Sequence, residues 1–121
     1  MNEAKEQIDK LIQELRRGTI TIGVLSQLSE PQYGYSLVKV LEDNGVPVEP
    51  GTLYPLLRRL EKQGLLESQW DTNETRPRKY YLLSPNGRQV FEELIKEWDS
   101  MVNSLDRLIK HPGGDRNGGL D

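Results

Sequence analysis

Prolines and glycines divide this chain into short segments, and their positions constrain the fold more than any other feature. Pro31, Gly45, Pro50, Gly64 and Pro85 each stand where a segment must begin or end, because proline cannot continue a helix and glycine favours helix ends. Between them, the spacing of apolar residues switches between a helical and a strand repeat. The chain therefore predicts helix, helix, helix, strand, strand and helix.

Apolar residues at intervals of three and four predict the four helices. The first covers 3–28, with a kink or a new start near Gly18, where a glycine and a β-branched run weaken the helix. The second covers 35–43 and the third 50–63. The last starts after the N-cap residue Ser84 and runs to residue 110.

Two strand-like runs stand between the third and last helices. Residues 66–70 alternate between apolar and polar side chains, 78–83 are rich in aromatic and apolar residues, and the polar loop 71–77 joins them into a hairpin. We interpret Trp70 as a packing residue of this hairpin.

The order of elements predicts a mainly α (α+β) protein. It consists of a winged helix-turn-helix over 1–83, a C-terminal dimerisation helix over 84–110 and a disordered tail over 111–121.

Composition argues against catalysis and against a metal or cofactor. The chain has no cysteine and one histidine, His111, so thiolate metal sites, disulfides and cysteine nucleophiles are excluded. No nucleophile–base pair stands out, and we expect a protein that is not an enzyme. The longest apolar run is far shorter than a bilayer span and the N-terminus is polar, so we expect a cytoplasmic protein without a membrane partner.

Charge is distributed unevenly in a way that favours a nucleic-acid partner. The chain carries a net charge of −3, yet residues 51–83 hold six Lys or Arg and four Asp or Glu. Buried leucines on one side of the third helix would leave its cationic side free to enter a DNA groove. Further cations on the hairpin would contact the DNA backbone. The candidate DNA-binding residues are Thr52, Tyr54, Arg58, Arg59, Lys62, Arg76, Arg78 and Lys79. A solvated surface on a winged-helix protein-interaction module is the alternative interpretation.

The last helix carries an unbroken apolar seam at heptad-like spacing. Its residues are Phe91, Leu94, Ile95, Trp98, Met101, Val102, Leu105 and Leu108. The seam either packs on the first helix of the same chain or joins two chains. Because it continues past any partner within one chain, it predicts a homodimer, with residues 3–15 as a second contributor. Trp98 either packs in this seam or stacks on a flat aromatic ligand near the two-fold axis.

Several sequence blocks in order resemble the PadR family of bacterial transcriptional regulators. The blocks are Tyr33-Gly34-Tyr35, the run Gly51-Thr52-Leu53-Tyr54-Pro55, then Arg76-Pro77-Arg78-Lys79-Tyr80-Tyr81 and Ser84-Pro85-Asn86-Gly87. The similarity extends from about residue 15 to residue 109. The single helix at the C-terminal end is similar to that of the small PadR subfamily, which includes multidrug-binding repressors.

The resemblance implies a homodimeric repressor that binds double-stranded promoter DNA and releases it when a phenolic or small planar aromatic effector binds. It carries DNA-facing roles onto Thr52, Tyr54, Arg58, Arg78 and Lys79, and a ligand-stacking role onto Trp98. One departure concerns the wing: Thr75 stands where the family usually has glycine, so the tip is expected to be shaped differently.

Overall fold

The computed structural model of the protein describes residues 2–73 and 75–113, and the elements within them follow the predicted order with one addition. They are α1 (Glu3–Ser26), β1 (Gln32–Tyr33), α2 (Gly34–Asp43), α3 (Pro50–Lys62), β2 (Leu66–Asp71), β3 (Arg78–Leu83) and α4 (Pro85–Lys110). The predicted second and third helices and both strands of the hairpin are confirmed to within one residue. The predicted mainly α winged helix-turn-helix with a C-terminal helix is confirmed.

The added element is β1, a strand of two residues that the sequence does not predict. It pairs antiparallel with β3, Gln32 opposite Tyr81 and Tyr33 opposite Tyr80, so that the sheet has the order β1-β3-β2. A two-residue strand is too short to show an alternating pattern, and its pairing partner lies far along the chain. Only the folded structure brings the two together.

Helix α1 is continuous through Gly18, so the new helix start expected there is wrong. A single glycine inside a long helix costs only about 1 kcal/mol, and neighbouring turns outweigh it. The helix begins at the N-cap Asn2, whose side-chain oxygen accepts a hydrogen bond from the backbone N–H of Lys5 at 2.9 Å. It ends at Ser26 rather than at residue 28.

The hydrophobic core lies between the helix-turn-helix and the inner face of the sheet. Leu25, Leu28, Leu37, Leu53 and Leu57 are the largest side chains with almost no exposed surface. The leucines of α3 thus anchor that helix by its apolar side, as the sequence predicts. Its opposite side remains at the surface.

The start of α4 is held by a close approach to the turn after α3. The Ser84 hydroxyl donates to the Gly64 carbonyl at 2.7 Å and accepts from the Gly87 N–H at 2.8 Å, which confirms Ser84 as an N-cap. Gly87 is buried, and a Cβ added there would overlap the Leu65 carbonyl group. Glycine is therefore required for this packing.

The chain divides into two compact units, Met1–Phe91 and Glu92–Asp121. The sequence places its domain boundaries elsewhere, at the start and end of the last helix, and those boundaries stay a prediction. Of the predicted disordered tail, residues 111–113 form a turn and residues 114–121 lie outside the described part of the chain. No helix in that described part is long and apolar enough to span a bilayer.

Candidate nucleic-acid interface

Helix α3 presents its cationic side to solvent. Thr52, Arg58, Arg59 and Lys62 are exposed and Tyr54 is half-buried, whereas Leu53, Leu56, Leu57 and Leu60 are buried. The helix is therefore fixed through its leucines and keeps its outer surface free. Such a surface is what a helix needs in order to enter a DNA groove.

Tyr54 owes its position to a glycine at the start of α2. A Cβ added at Gly34 would come within 2.7 Å of both the ring carbon Cζ and the hydroxyl of Tyr54. The ring therefore lies directly against the backbone of α2. This contact joins the two helices of the helix-turn-helix at the edge of the candidate interface.

On the wing, Arg78 is held by two tyrosines of the β1–α2 segment. Its Nη1 donates to the Tyr35 hydroxyl at 2.7 Å, and its guanidinium lies 5.2 Å from the Tyr35 ring centre and 5.6 Å from that of Tyr33. The two rings are stacked 5.8 Å apart. Hydrogen bonding and cation–π attraction together pre-orient the cation.

Tyr33 also fixes the end of β2. Its hydroxyl donates to Asp71 Oδ2 at 2.5 Å, and the Asn73 N–H donates to the other carboxylate oxygen at 3.0 Å. The hydrogen bond from Tyr33, with that from Asn73 and the nearby charge of Arg78, lowers the pKa of Asp71 below its ordinary value. The carboxylate therefore stays ionised and ties the outer strand to β1 across the sheet.

Lys79 is held by helix α3. Its Nζ lies 3.5 Å from Glu61 Oε1, and the other oxygen of Glu61 accepts a hydrogen bond from the Ser68 hydroxyl at 2.5 Å. Lys79 also lies 5.3 Å from the ring centre of Tyr81. These contacts orient the lysine and link α3 to both long strands of the wing.

A cleft of about 690 Å³ opens between α3, the wing and the start of α2. The described residues that line it are Tyr33, Gly34, Tyr35, Tyr54, Arg58, Trp70, Arg76, Arg78, Lys79 and Tyr81. Four of them are cations, five are aromatic and none is acidic. Such a lining suits an anion that also offers apolar surface.

Five of the eight candidate DNA-binding residues come together at this cleft. They are Tyr54, Arg58, Arg76, Arg78 and Lys79. The structure does not bring the other three into its lining: Arg59 and Lys62 are exposed on the last turns of α3, and Thr52 lines a second pocket near the start of that helix.

The sequence misses Tyr33 and Tyr35 as site residues and misinterprets Trp70. Trp70 does not pack in the hairpin, since 63% of its surface is exposed. It lies at the far end of β2 from the buried Leu66, opposite Lys79 in register, and beyond the reach of the core. Its place beside a polar loop is the one sequence signal that indicates exposure.

The predicted dimerisation seam lies along α4 and becomes more exposed toward the C-terminal end. Phe91, Leu94, Ile95 and Trp98 are half-buried, whereas Met101, Val102, Leu105 and Leu108 are exposed, Leu105 at 55% and Leu108 at 59%. Helix α1 carries a second exposed apolar stripe, formed by Ile8, Leu11, Ile12 and Leu15. Apolar stripes of this length are typical of surfaces that a partner covers.

Sequence comparison identifies the family to which this arrangement belongs. The model of the transcriptional regulator PadR-like family matches residues 22–93, from the end of α1 to the first turns of α4. The chain belongs to the PadR-like family of transcriptional regulators. The matched region contains every described residue that lines the cleft, and the resemblance that the sequence motifs carry is confirmed.

Two solved structures and one further relative support the PadR assignment. A PadR family transcriptional regulator from Eggerthella lenta is 46% identical, with a TM-score of 0.84 over 89% of this chain and 96% of that one. A PadR-like transcriptional regulator from Bacillus cereus is 29% identical, with a TM-score of 0.72 over 79% of this chain and 96% of that one. The transcriptional regulator Rv3488 of Mycobacterium tuberculosis is 35% identical over 94 residues, 71% of this chain and 88% of that protein. These relatives are regulators rather than enzymes, in agreement with the prediction that this chain is not an enzyme.

Proposed function

We propose that this PadR-like protein is a repressor that binds double-stranded promoter DNA as a homodimer in the cytoplasm. The observation that carries the proposal is the cleft, where Arg58 of α3 and the wing cations Arg76, Arg78 and Lys79 line one surface. A duplex offers phosphates at the spacing of a groove edge, so a helix and a wing that share one cationic cleft can hold the same strand.

Within this proposal the residues of α3 and the wing have different roles. Thr52, Tyr54, Arg58, Arg59 and Lys62 approach the major groove, where arginine recognises guanine edges and phosphates. Arg76, Arg78 and Lys79 hold the flanking backbone. The pre-orientation of Arg78 by Tyr35, at 2.7 Å, lowers the entropy that this side chain loses on binding.

The proposed dimer is supported by the exposed seam of α4. A second copy of the chain would cover Met101, Val102, Leu105 and Leu108, which are exposed in the single chain. Two-fold symmetry then presents two recognition helices about 34 Å apart, so the operator is expected to be an inverted repeat. The exposed stripe on α1 is proposed as the second part of this interface.

Release of DNA is proposed to follow binding of a small planar aromatic or phenolic effector at Trp98. Its half-buried indole, near the two-fold axis of the proposed dimer, offers a stacking surface to a flat molecule. Such a ligand acts as a switch only if it binds one spacing of the two recognition helices better than the other.

Removing a single cleft cation is expected to weaken DNA binding while the dimer stays intact. Arg58→Ala and Lys79→Ala should each lower affinity for the region upstream of the gene about tenfold, and each should reduce the slope of log affinity against log salt by about one. Gel shifts at several salt concentrations measure both quantities, and footprinting of the same region locates the operator.

Lys96→Ala is the matched control, because Lys96 is a surface lysine of α4 paired with Glu93 and does not line the cleft. Unchanged binding by Arg58→Ala and Lys79→Ala at low salt would contradict the interface. Binding to a protein partner with little salt dependence would instead favour the alternative, a protein-interaction module.

Trp98 is expected to report effector binding by fluorescence. Titrating acridine orange or p-coumarate should quench the emission of the Trp70→Phe protein, in which Trp98 is the only indole, and the same ligand should release DNA. Equal saturable quenching of the Trp98→Phe protein would contradict the stacking role and leave Trp98 as a packing residue.

A further inference from the structure

Trp70 is the more exposed of the two tryptophans in the described part of the chain. It belongs neither to the core nor to the predicted dimerisation seam. It lies on β2, the outer strand of the wing, with 63% of its surface exposed. Indole groups are costly to leave in water and are enriched where one protein surface contacts another molecule. We therefore expect another molecule to cover this side chain.

The sheet register shows where that occupant must lie. Trp70 is opposite Lys79, and both line the cleft together with Tyr54 and Arg58 of α3. The indole is thus on the wing side of the cleft and the recognition helix is on the other side. A molecule that fills the cleft contacts both.

The backbone at Trp70 is held in place rather than free to move with the loop. The next residue, Asp71, accepts a hydrogen bond from the Tyr33 hydroxyl at 2.5 Å and is paired with Arg78 in the sheet. The indole is consequently presented by a strand that is tied across the whole sheet. A strand held in this way needs no ordering of its backbone at Trp70 when a molecule binds.

The charge of the cleft indicates which class of molecule binds there. Four cations and no acidic residue are found among the described residues that line it, which favours a polyanion over an apolar peptide. The polyanion must also offer an apolar face to the indole. A DNA strand meets both conditions, because each phosphate is joined to a deoxyribose whose C–H groups are apolar.

We propose that Trp70 packs against a deoxyribose of the strand that runs between α3 and the wing, as an uncharged contact that adds affinity without reading sequence. This inference rests on the proposed DNA-binding function and adds a residue to its interface. It distinguishes Trp70 from the neighbouring cations, since a sugar contact releases no counterions.

The experiment compares Trp70→Ala with Arg76→Ala in the full-length protein by gel shift over a range of salt concentrations. Trp70→Ala should lower affinity about 5- to 20-fold, the scale of aromatic contacts to nucleic acids, equally for the upstream duplex and for a scrambled duplex. Its salt slope should equal that of the unaltered protein, whereas Arg76→Ala should lose about one from the slope. Trp70→Phe should recover most of the affinity.

Gln69→Ala is the matched control, because Gln69 is the adjacent residue on the opposite face of β2 and contacts Tyr80 rather than the cleft. DNA should also change the emission of the unaltered protein, and Trp70→Phe should remove most of that change. Normal affinity of Trp70→Ala together with weak binding of Arg58→Ala would overturn the inference and leave the proposed function intact.

If none of the cation variants loses affinity for DNA, the proposed function itself is rejected. A change in oligomeric state of Trp70→Ala by analytical ultracentrifugation, with DNA affinity unaltered, would assign the indole to a contact between copies and overturn the inference. Saturable quenching of Trp70 by mononucleotides at the affinity of duplex DNA would do the same, since the cleft would then be a small-anion site.

Discussion

Gly87→Ala is expected to lower the free energy of unfolding by roughly 2 to 3 kcal/mol, in the upper part of the range for over-packing a close contact. The new Cβ would overlap the Leu65 carbonyl oxygen and lie 2.9 Å from the carbonyl carbon. Both atoms belong to the backbone, so no side-chain rotation relieves the overlap. The turn after α3 must shift, and with it the Ser84 hydrogen bonds that begin α4.

Gly18→Ala is the matched control for that change. Gly18 is also helical, but a Cβ there meets nothing within 4 Å, so alanine should stabilise the protein by about 0.5 to 1 kcal/mol through its higher helix propensity. Urea unfolding at one fixed protomer concentration measures both changes, because the stability of a dimer depends on concentration. Equal effects of the two substitutions would contradict the close packing at Gly87.

Leu105→Asp is expected to convert the proposed dimer into monomers and to weaken operator binding about 100- to 10,000-fold, the gain that linking two binding sites usually supplies. Leu105 lies in the middle of the exposed part of the seam. A carboxylate there would be buried without a partner in the dimer, at a cost that the seam cannot offset. Each monomer should retain its fold, because Leu105 is already 55% exposed in the single chain.

Asn103→Asp introduces the same charge on the opposite side of α4, where Asn103 is exposed. It should leave both the dimer and the operator affinity unchanged. Analytical ultracentrifugation gives the oligomeric state, and gel shifts on the same samples give the affinity. A Leu105→Asp protein that remains dimeric would place the two-fold interface elsewhere.

Direct contacts link α3 to the wing, the two parts of the proposed interface. Glu61 of α3 accepts from Ser68 of β2 at 2.5 Å and lies 3.5 Å from Lys79 of β3. The side chains of this ion pair are about one third exposed, so solvent screens the attraction and its main effect is orientation rather than stability. Helix α3 thereby fixes the wing lysine beside its own cationic side.

Most of the helices and strands of this protein could be predicted from local sequence. Helices α2 and α3, the hairpin strands and the N-cap at Ser84 follow from proline, glycine and the spacing of apolar residues, all of which act over a few neighbouring residues. The cationic side of α3 and the basic wing could be predicted for the same reason. Ordered sequence motifs then identified the family, which the comparisons confirm.

How those elements contact one another depends on the fold. The strand β1, the Tyr35–Arg78 and Tyr33–Asp71 hydrogen bonds, and the exposure of Trp70 all join residues that lie far apart in the chain or depend on where the core ends. Local propensity carries no information about such distances, since they arise only when side chains compete for the same buried space. Most of the elements could therefore be predicted from the sequence, whereas β1 and the cleft required the fold.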